Sequence, residues 1–233
     1  MVAALASAVA FAAAASSAGV GCGVDVLEVL AGAAAIYIYT EKTNVHSVNI
    51  SFLKMPLEIV VGPMFSGKST YALSYVRRQR SIGKNVLIIK PNIDNRYSPN
   101  NLVTHDKEQI PCMIWDVDQP LVPTLNSFLQ ADCIVIEEGQ FFVGLKKFVL
   151  YLLQVYHKNI LIVGLDGDAR QNPFGEILDC IPWCSKLTKL NAFCSTCKDG
   201  TLAPFTRRIN LQDKEQVVVG GADVYSAVCL LHL

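Results

Sequence analysis

No charge of either sign occurs in the first 24 residues, and no lysine or arginine precedes Lys42. The chain therefore lacks the basic stretch that opens a secretory signal and the arginines of a mitochondrial transit peptide. Net charge is lacking as well. Lys plus Arg and Asp plus Glu each number 20, so no bulk positive field draws the chain to nucleic acid or to an anionic membrane. A strongly apolar spanning run is missing too: residues 2–20 are long enough on paper, but they are mostly Ala and Ser, which favour insertion far less than Leu or Ile. There is no internal repeat. Finally, the eight cysteines form no even secreted framework: Cys22, Cys112, Cys133, Cys180 and Cys184 are scattered, and only Cys194 and Cys197 stand close together. That pattern fits reduced thiols plus one metal site, in a cytoplasmic or other reducing compartment.

What is present divides into three parts. Residues 1–54 are an Ala-rich extension, and the excess behind the 52% hydrophobic content of the chain is concentrated in the first 40 residues. Three readings of it stand: a disordered or untranslated extension, a targeting or anchoring segment, or an ordered part of the fold. Met55 lies directly before the first regular strand, so the body is expected to begin there. Residues 55–191 read as an α/β domain and residues 192–233 as a small module of Cys pairs, Gly, Pro and polar residues.

The body is regular. An apolar run at 57–61 ends in a glycine loop, residues 69–80 have helical character with Gly83 after them, and 86–89 is the next buried strand. Further apolar runs at 133–136 and 160–164 each end in acidic residues, and 145–156 between them has helical spacing. Strands apolar on both faces, joined by helical crossovers, predict a parallel sheet in a layered α/β fold. Ligands in such sheets collect at the carboxyl ends of the strands, where the candidate functional residues fall. One more short strand is predicted at 216–219.

The loop Gly62-Pro63-Met64-Phe65-Ser66-Gly67-Lys68-Ser69 matches G-x-x-x-x-G-K-[ST] between a predicted strand and a predicted helix. A glycine-rich turn there aims backbone amides at one phosphate, and the helix N-terminus faces the same anion. Lys68 would place a charge on the β and γ phosphates, and Ser69 would hold Mg²⁺. The run 133–136 ends in Glu137 and Glu138; in P-loop enzymes an acid here reaches the metal, and a second can take a proton from the attacking hydroxyl. Glu138 is the candidate general base, while Glu137 and Gln140 fall on the nucleotide side.

Cys194 and Cys197 form a C-x₂-C pair, and Cys229 and His232 a C-x₂-H pair. Four such ligands suit a closed, structural Zn²⁺ site, with the long intervening segment leaving and returning as a lasso pinned at its base. The alternatives are a redox-active C-x-x-C pair, or buried free thiols beside a terminal histidine.

Six motifs occur in order: GPMFSGKST at 62–70, THD at 104–106, EEGQFF at 137–142, GLDGD at 164–168, PFG at 173–175 and GGADVY at 220–225. Together they resemble the zinc-containing (type II) thymidine kinases of cells and large DNA viruses, over roughly residues 57–232. The resemblance implies a RecA-like P-loop sheet flanked by helices, with a small zinc-binding lasso module closing over the nucleoside. It implies ATP- and Mg²⁺-dependent transfer of the γ-phosphoryl group to the 5′-hydroxyl of thymidine, with Glu138 as base, a small-molecule nucleoside partner and a homotetrameric assembly. Asp106 matches an acid beside the phosphates, and Lys107 stands where many members have Arg, keeping the charge but losing the bidentate fork. Met64, Phe141, Leu165, Thr206 and Tyr225 match positions enclosing base and sugar. Gln216, Val217, Val218, Val219 and Gly220 match a segment giving backbone contacts to thymine. Ala169 departs from the family, which often has a stacking aromatic there; its loss removes up to about 1–3 kcal/mol on the scale of base–aromatic stacking. Phe141 or Phe174 would compensate, unless these rings only pack the core. Outside the kinase reading stand a P-loop ATPase or regulatory protein without a nucleoside acceptor, and a zinc-stapled interaction protein.

Overall fold

Leu57–Val61 (β1) runs into the glycine loop and then into Lys68–Ser81 (α1) and Val86–Pro91 (β2). Asn101–Val103 (β3) and Gln109–Pro111 (β4) pair as an antiparallel hairpin, followed by Met113–Trp115 (β5). Asn126–Gln130 (α2), Cys133–Ile136 (β6), a 3₁₀ turn at Gly139–Phe141, Leu145–Gln154 (α3) and Asn159–Gly164 (β7) come next. A 3₁₀ segment at Leu178–Trp183 leads to Lys186–Lys189 (β8). The chain closes with Ala192–Phe193 (β9), Leu202–Ala203 (β10), Phe205–Arg208 (β11), Tyr225–Val228 (β12) and a 3₁₀ turn at Leu230–His232. This computed structural model describes residues 57–93, 101–103, 109–123, 126–209, 216, 218 and 220–233. The Ala-rich residues 1–54 and the candidate site residues Asp106, Lys107, Val217 and Val219 lie outside the described residues.

Six strands form one sheet in the order β5-β2-β6-β7-β1-β8, and every pairing in it is parallel. Alternation along each strand gives the sheet two apolar faces. Leu57, Ile59 and Val61 join Ile134, Ile136, Ile160 and Ile162 on one face, under Phe128 and α3. The buried residues of α3 are Leu145, Phe148, Val149, Leu152 and Leu153, the i, i+3, i+4, i+7, i+8 stripe of a helix lying on a sheet. On the other face Val60, Ile88, Val135, Leu161 and Val163 meet Ala72, Leu73, Tyr75 and Val76 of α1. The predicted layered α/β architecture is what the chain adopts.

Some boundaries differ from expectation. Helix α3 stops at Gln154 instead of 156, because the Val155 N–H closes the last turn on the Tyr151 carbonyl and His157 then takes a left-handed φ of 52°. Gln216 and Val218 lie outside any strand, and the strand near this position is β12, antiparallel to β11. The hairpins β9–β10 and β11–β12 share a small core of Ala192, Ala203, Phe205, Ala227 and Val228. Among the described residues, no helix is long and apolar enough to cross a membrane.

Candidate active site and metal centre

Because all six strands are parallel, the loops after β1, β6 and β7 gather at one end of the sheet. Gly62 leaves β1 where a Cβ would press on the Leu190 carbonyl, so only glycine allows the turn. Gly67 stands in open space, yet its φ of 82° at the start of α1 is left-handed, and there the conformation itself selects glycine. Lys68 is only 8% exposed. Its Nζ donates to the Pro63 carbonyl at 2.7 Å, and Ser66 Oγ donates to the same oxygen at 2.8 Å. The loop thus curls around a buried cation at a helix N-terminus, an arrangement suited to an anion.

Strand β7 separates β1 from β6 in the sheet, yet the acidic end of β6 reaches the loop. Ser69 Oγ donates to Glu137 Oε1 at 2.5 Å, and Glu137 is 2% exposed. A hydroxyl and a buried carboxylate held together offer oxygen donors alone, the set that suits a hard divalent cation such as Mg²⁺. The next residue, Glu138, takes a left-handed backbone (φ 52°, ψ 47°) that turns the chain out of the strand and lets it line an adjoining cavity. Gln140 holds it there. Gln140 Nε2 donates to Glu138 Oε2 at 2.6 Å while Gln140 Oε1 accepts the Leu165 N–H at 3.0 Å, a bridge from the acid to the end of β7.

That cavity collects most of the residues expected to enclose the nucleoside. Met64, Glu138, Gln140, Phe141, Leu165, Ala169, Gln216, Val218, Gly220 and Tyr225 line it, with Ile93, Asp168 and Phe174 in addition. The Phe141 and Phe174 rings meet edge to face at 5.4 Å, leaving Ala169 as a small wall residue. Thr206 lies behind this wall: its hydroxyl accepts the Met64 N–H at 2.9 Å and its carbonyl accepts Gln171 Nε2 at 3.2 Å. Asp168 gave a sequence signal, being the last residue of GLDGD, but no role. Ile93 gave none. Burial raises the Asp168 carboxyl, but the N–H groups of Arg170 and Asn172 and the Gln216 amide outweigh burial and hold it below its ordinary value. It stays ionised.

The two cysteine pairs converge as well. Cys194 and Cys197 follow β9, Cys229 follows β12, and His232 sits in the last 3₁₀ turn. Their ligand atoms all lie within 4.8 Å of one another. Cys197 Sγ and Cys229 Sγ are 3.7 Å apart, and His232 Nδ1 lies 3.3 Å from each and 3.6 Å from Cys194 Sγ. A tetrahedron with zinc-like bond lengths has edges of roughly 3.5–3.8 Å, so the set fits that metal. Burial raises the Cys194 thiol, but backbone N–H groups of Cys197, Cys229 and Thr196 prevail and bring it down to about 6, while burial and its bonds to Cys194 and Cys229 push the neighbouring Cys197 thiol up to about 11, so the first thiolate of the set falls on Cys194. Among the described residues every cysteine is a free thiol.

Comparison with known proteins adds an independent line. A family model described as thymidine kinase matches residues 55–233. The thymidine kinase of Oryza sativa subsp. japonica is 39% identical over 186 residues, which cover 76% of this chain and 65% of that protein. The cytosolic thymidine kinase of Homo sapiens is 37% identical over 179 residues, 75% of this chain and 71% of its own length. The thymidine kinase of Variola virus is 34% identical over 173 residues, 74% of this chain and 93% of the viral one.

Proposed function

The chain belongs to the thymidine kinase family, and from that premise we propose that it transfers the γ-phosphoryl group of ATP to the 5′-hydroxyl of thymidine, yielding thymidine monophosphate. One observation carries the mechanism: the 2.5 Å contact from Ser69 to Glu137 joins the end of β6 to the phosphate loop. Glu138, the next residue in the chain, lines the cavity.

The amides of the loop and Lys68 would hold the triphosphate, acting as fixed charges for a transfer that needs positioning more than covalent help. Ser69 and Glu137 would hold Mg²⁺, which when bound neutralises charge on the phosphates. Glu138, pinned by Gln140, accepts the 5′-hydroxyl proton as the oxygen bonds to the γ-phosphorus and ADP leaves with the bridging oxygen. Phe141, Phe174 and Leu165 give the base an apolar slot, with Met64, Val218, Gly220 and Tyr225 as the remaining wall. Cys194, Cys197, Cys229 and His232 would hold a structural Zn²⁺ that fixes the two C-terminal hairpins. The family resemblance makes a homotetramer the expected assembly, and the name of the human relative, with the free thiols, supports a cytosolic setting.

The deciding experiment is phosphate transfer from labelled ATP to thymidine, deoxyuridine and deoxycytidine, with Glu138→Gln alongside. A positioned base contributes about 10²- to 10⁴-fold, so E138Q is expected to lose turnover by that factor while ATP binding persists. Wild-type turnover in E138Q would remove Glu138 from this role. ATP hydrolysis indifferent to any nucleoside would instead support a P-loop ATPase.

A further inference from the structure

We propose that Asp168 is a positioning residue for the nucleoside, which through the side chain of Gln216 fixes Gln216 and, beside it, Val218 in the cavity wall. The inference rests on the thymidine kinase reading above and assigns a role to a residue that reading leaves idle.

Asp168 follows β7 and is 7% exposed. Its Oδ1 accepts the N–H groups of Arg170 at 2.8 Å and Asn172 at 3.0 Å, while its own N–H donates to the Asn172 carbonyl at 2.9 Å. Residues 168–172 are thereby wound into a tight turn around the carboxylate. Oδ2 accepts Gln216 Nε2 at 3.1 Å. On the far side, the Gln216 carbonyl accepts Arg208 Nη2 at 3.2 Å, Arg208 Nη2 also donates to Tyr225 Oη at 3.2 Å, and Tyr225 Oη donates to the Val218 carbonyl at 2.8 Å. Gln216 and Val218 are gripped by the β11–β12 hairpin on one side and tied to the sheet by Asp168 on the other.

The chemistry favours a carboxylate in this place. A buried acid is tolerated when several donors meet it, and each bond it accepts is charge-assisted and roughly twice as strong as a neutral one. The bonds from Arg170 and Asn172 set the acid itself, so the one to Gln216 transmits that rigidity. The proton acceptor for transfer is Glu138, which Gln140 holds. Asp168 therefore acts on where the nucleoside sits, and its loss should appear in substrate affinity before turnover.

Steady-state kinetics of D168N, Q216A and the two double variants D168N/Q216A and D168N/Q216E test this. In D168N the amide oxygen still accepts from Arg170 and Asn172, but the amide nitrogen faces the Gln216 donor. Thymidine KM is expected to rise about tenfold in D168N and in Q216A, as for loss of one charge-assisted bond, with kcat within about twofold and ATP KM unmoved. The D168N/Q216A double variant should be no worse than either single one. D168N/Q216E reverses donor and acceptor and should bring KM back to within about threefold of wild type. An unmoved KM in D168N, a fall confined to kcat, independent multiplying effects, or no recovery in the reversed pair would each overturn the assignment. Wild-type enzyme unable to phosphorylate thymidine would sink the parent reading and this one together. Active wild type with an indifferent D168N sinks this one alone.

Discussion

Gly164 shows how little slack surrounds Gln140, which holds the proposed base Glu138. A Cβ there would drive into Gln140 Oε1 and Ile177 Cδ1, and one on Gly175 would strike the Gln140 backbone. Gln140 is thus wedged between two glycines while it bridges Glu138 to Leu165. Gly164→Ala is expected to push the amide off Glu138 and lower kcat by about tenfold or more, part of the general-base contribution, with ATP KM little changed; saturating kinetics in both substrates check it. Ala169 offers the opposite experiment. A169F restores an aromatic wall near Phe141 and Phe174, and should lower thymidine KM by about tenfold on the scale of base–aromatic stacking. An unchanged or higher KM would mean that those two rings already fill the slot. At this scale the sequence spoke clearly where chemistry requires neighbours in the chain: Gly62 to Ser69, Glu137 with Glu138, and the two cysteine pairs. It was silent where partners are distant. The Met64 amide meets Thr206 across 142 positions, and Gln216 meets Asp168 across 48.

Among elements, α3 shows how periodicity translates into stability. Leu152 is fully buried between the helix and the sheet face formed by Ile134, Ile136 and Ile160. Leu152→Ala is expected to cost about 2–5 kcal/mol, read as a lower denaturation midpoint with an unchanged slope. The site lies at the strand ends and not beneath α3, so thymidine KM at low temperature should hold. The buried strands β1, β2, β6 and β7 were legible because both faces are covered, which leaves continuous apolar runs. β8 was not. Its sequence, KLTK, is mostly exposed, and it exists as an edge strand because its backbone pairs with Glu58 to Val61 and Lys186 Nζ reaches the Glu58 carboxylate at 2.5 Å. Tyr71 Oη donates to that carboxylate too. β5 escaped for the same reason, three half-buried residues pairing only with the end of β2. Such edges follow from the strand already in place, which no local pattern announces.

Across the described residues, the proposed mechanism divides the labour between a sheet whose loops would carry the phosphate chemistry and two hairpins, pinned by the proposed zinc, that would complete the nucleoside side. The fully buried core of the hairpins is six small or sulfur-bearing residues, with Phe205 and Cys197 packed against them, too few to order the hairpins without a staple. Metal analysis is expected to find one zinc per chain. Cys197→Ser should lose it and raise thymidine KM by more than about tenfold, while sheet circular dichroism stays near wild type. Full retention of nucleoside affinity without zinc would remove the metal from that role. The Met64–Thr206 bond crosses this division, for Met64 belongs to the phosphate loop, faces the nucleoside cavity and anchors the hairpin through a single amide. Acceptor choice and donor grip therefore share one mechanical joint. A change that breaks this joint is expected to move ATP affinity together with thymidine affinity, whereas changes elsewhere in the wall, at Ala169, Phe174 or Gln216, should move thymidine affinity alone.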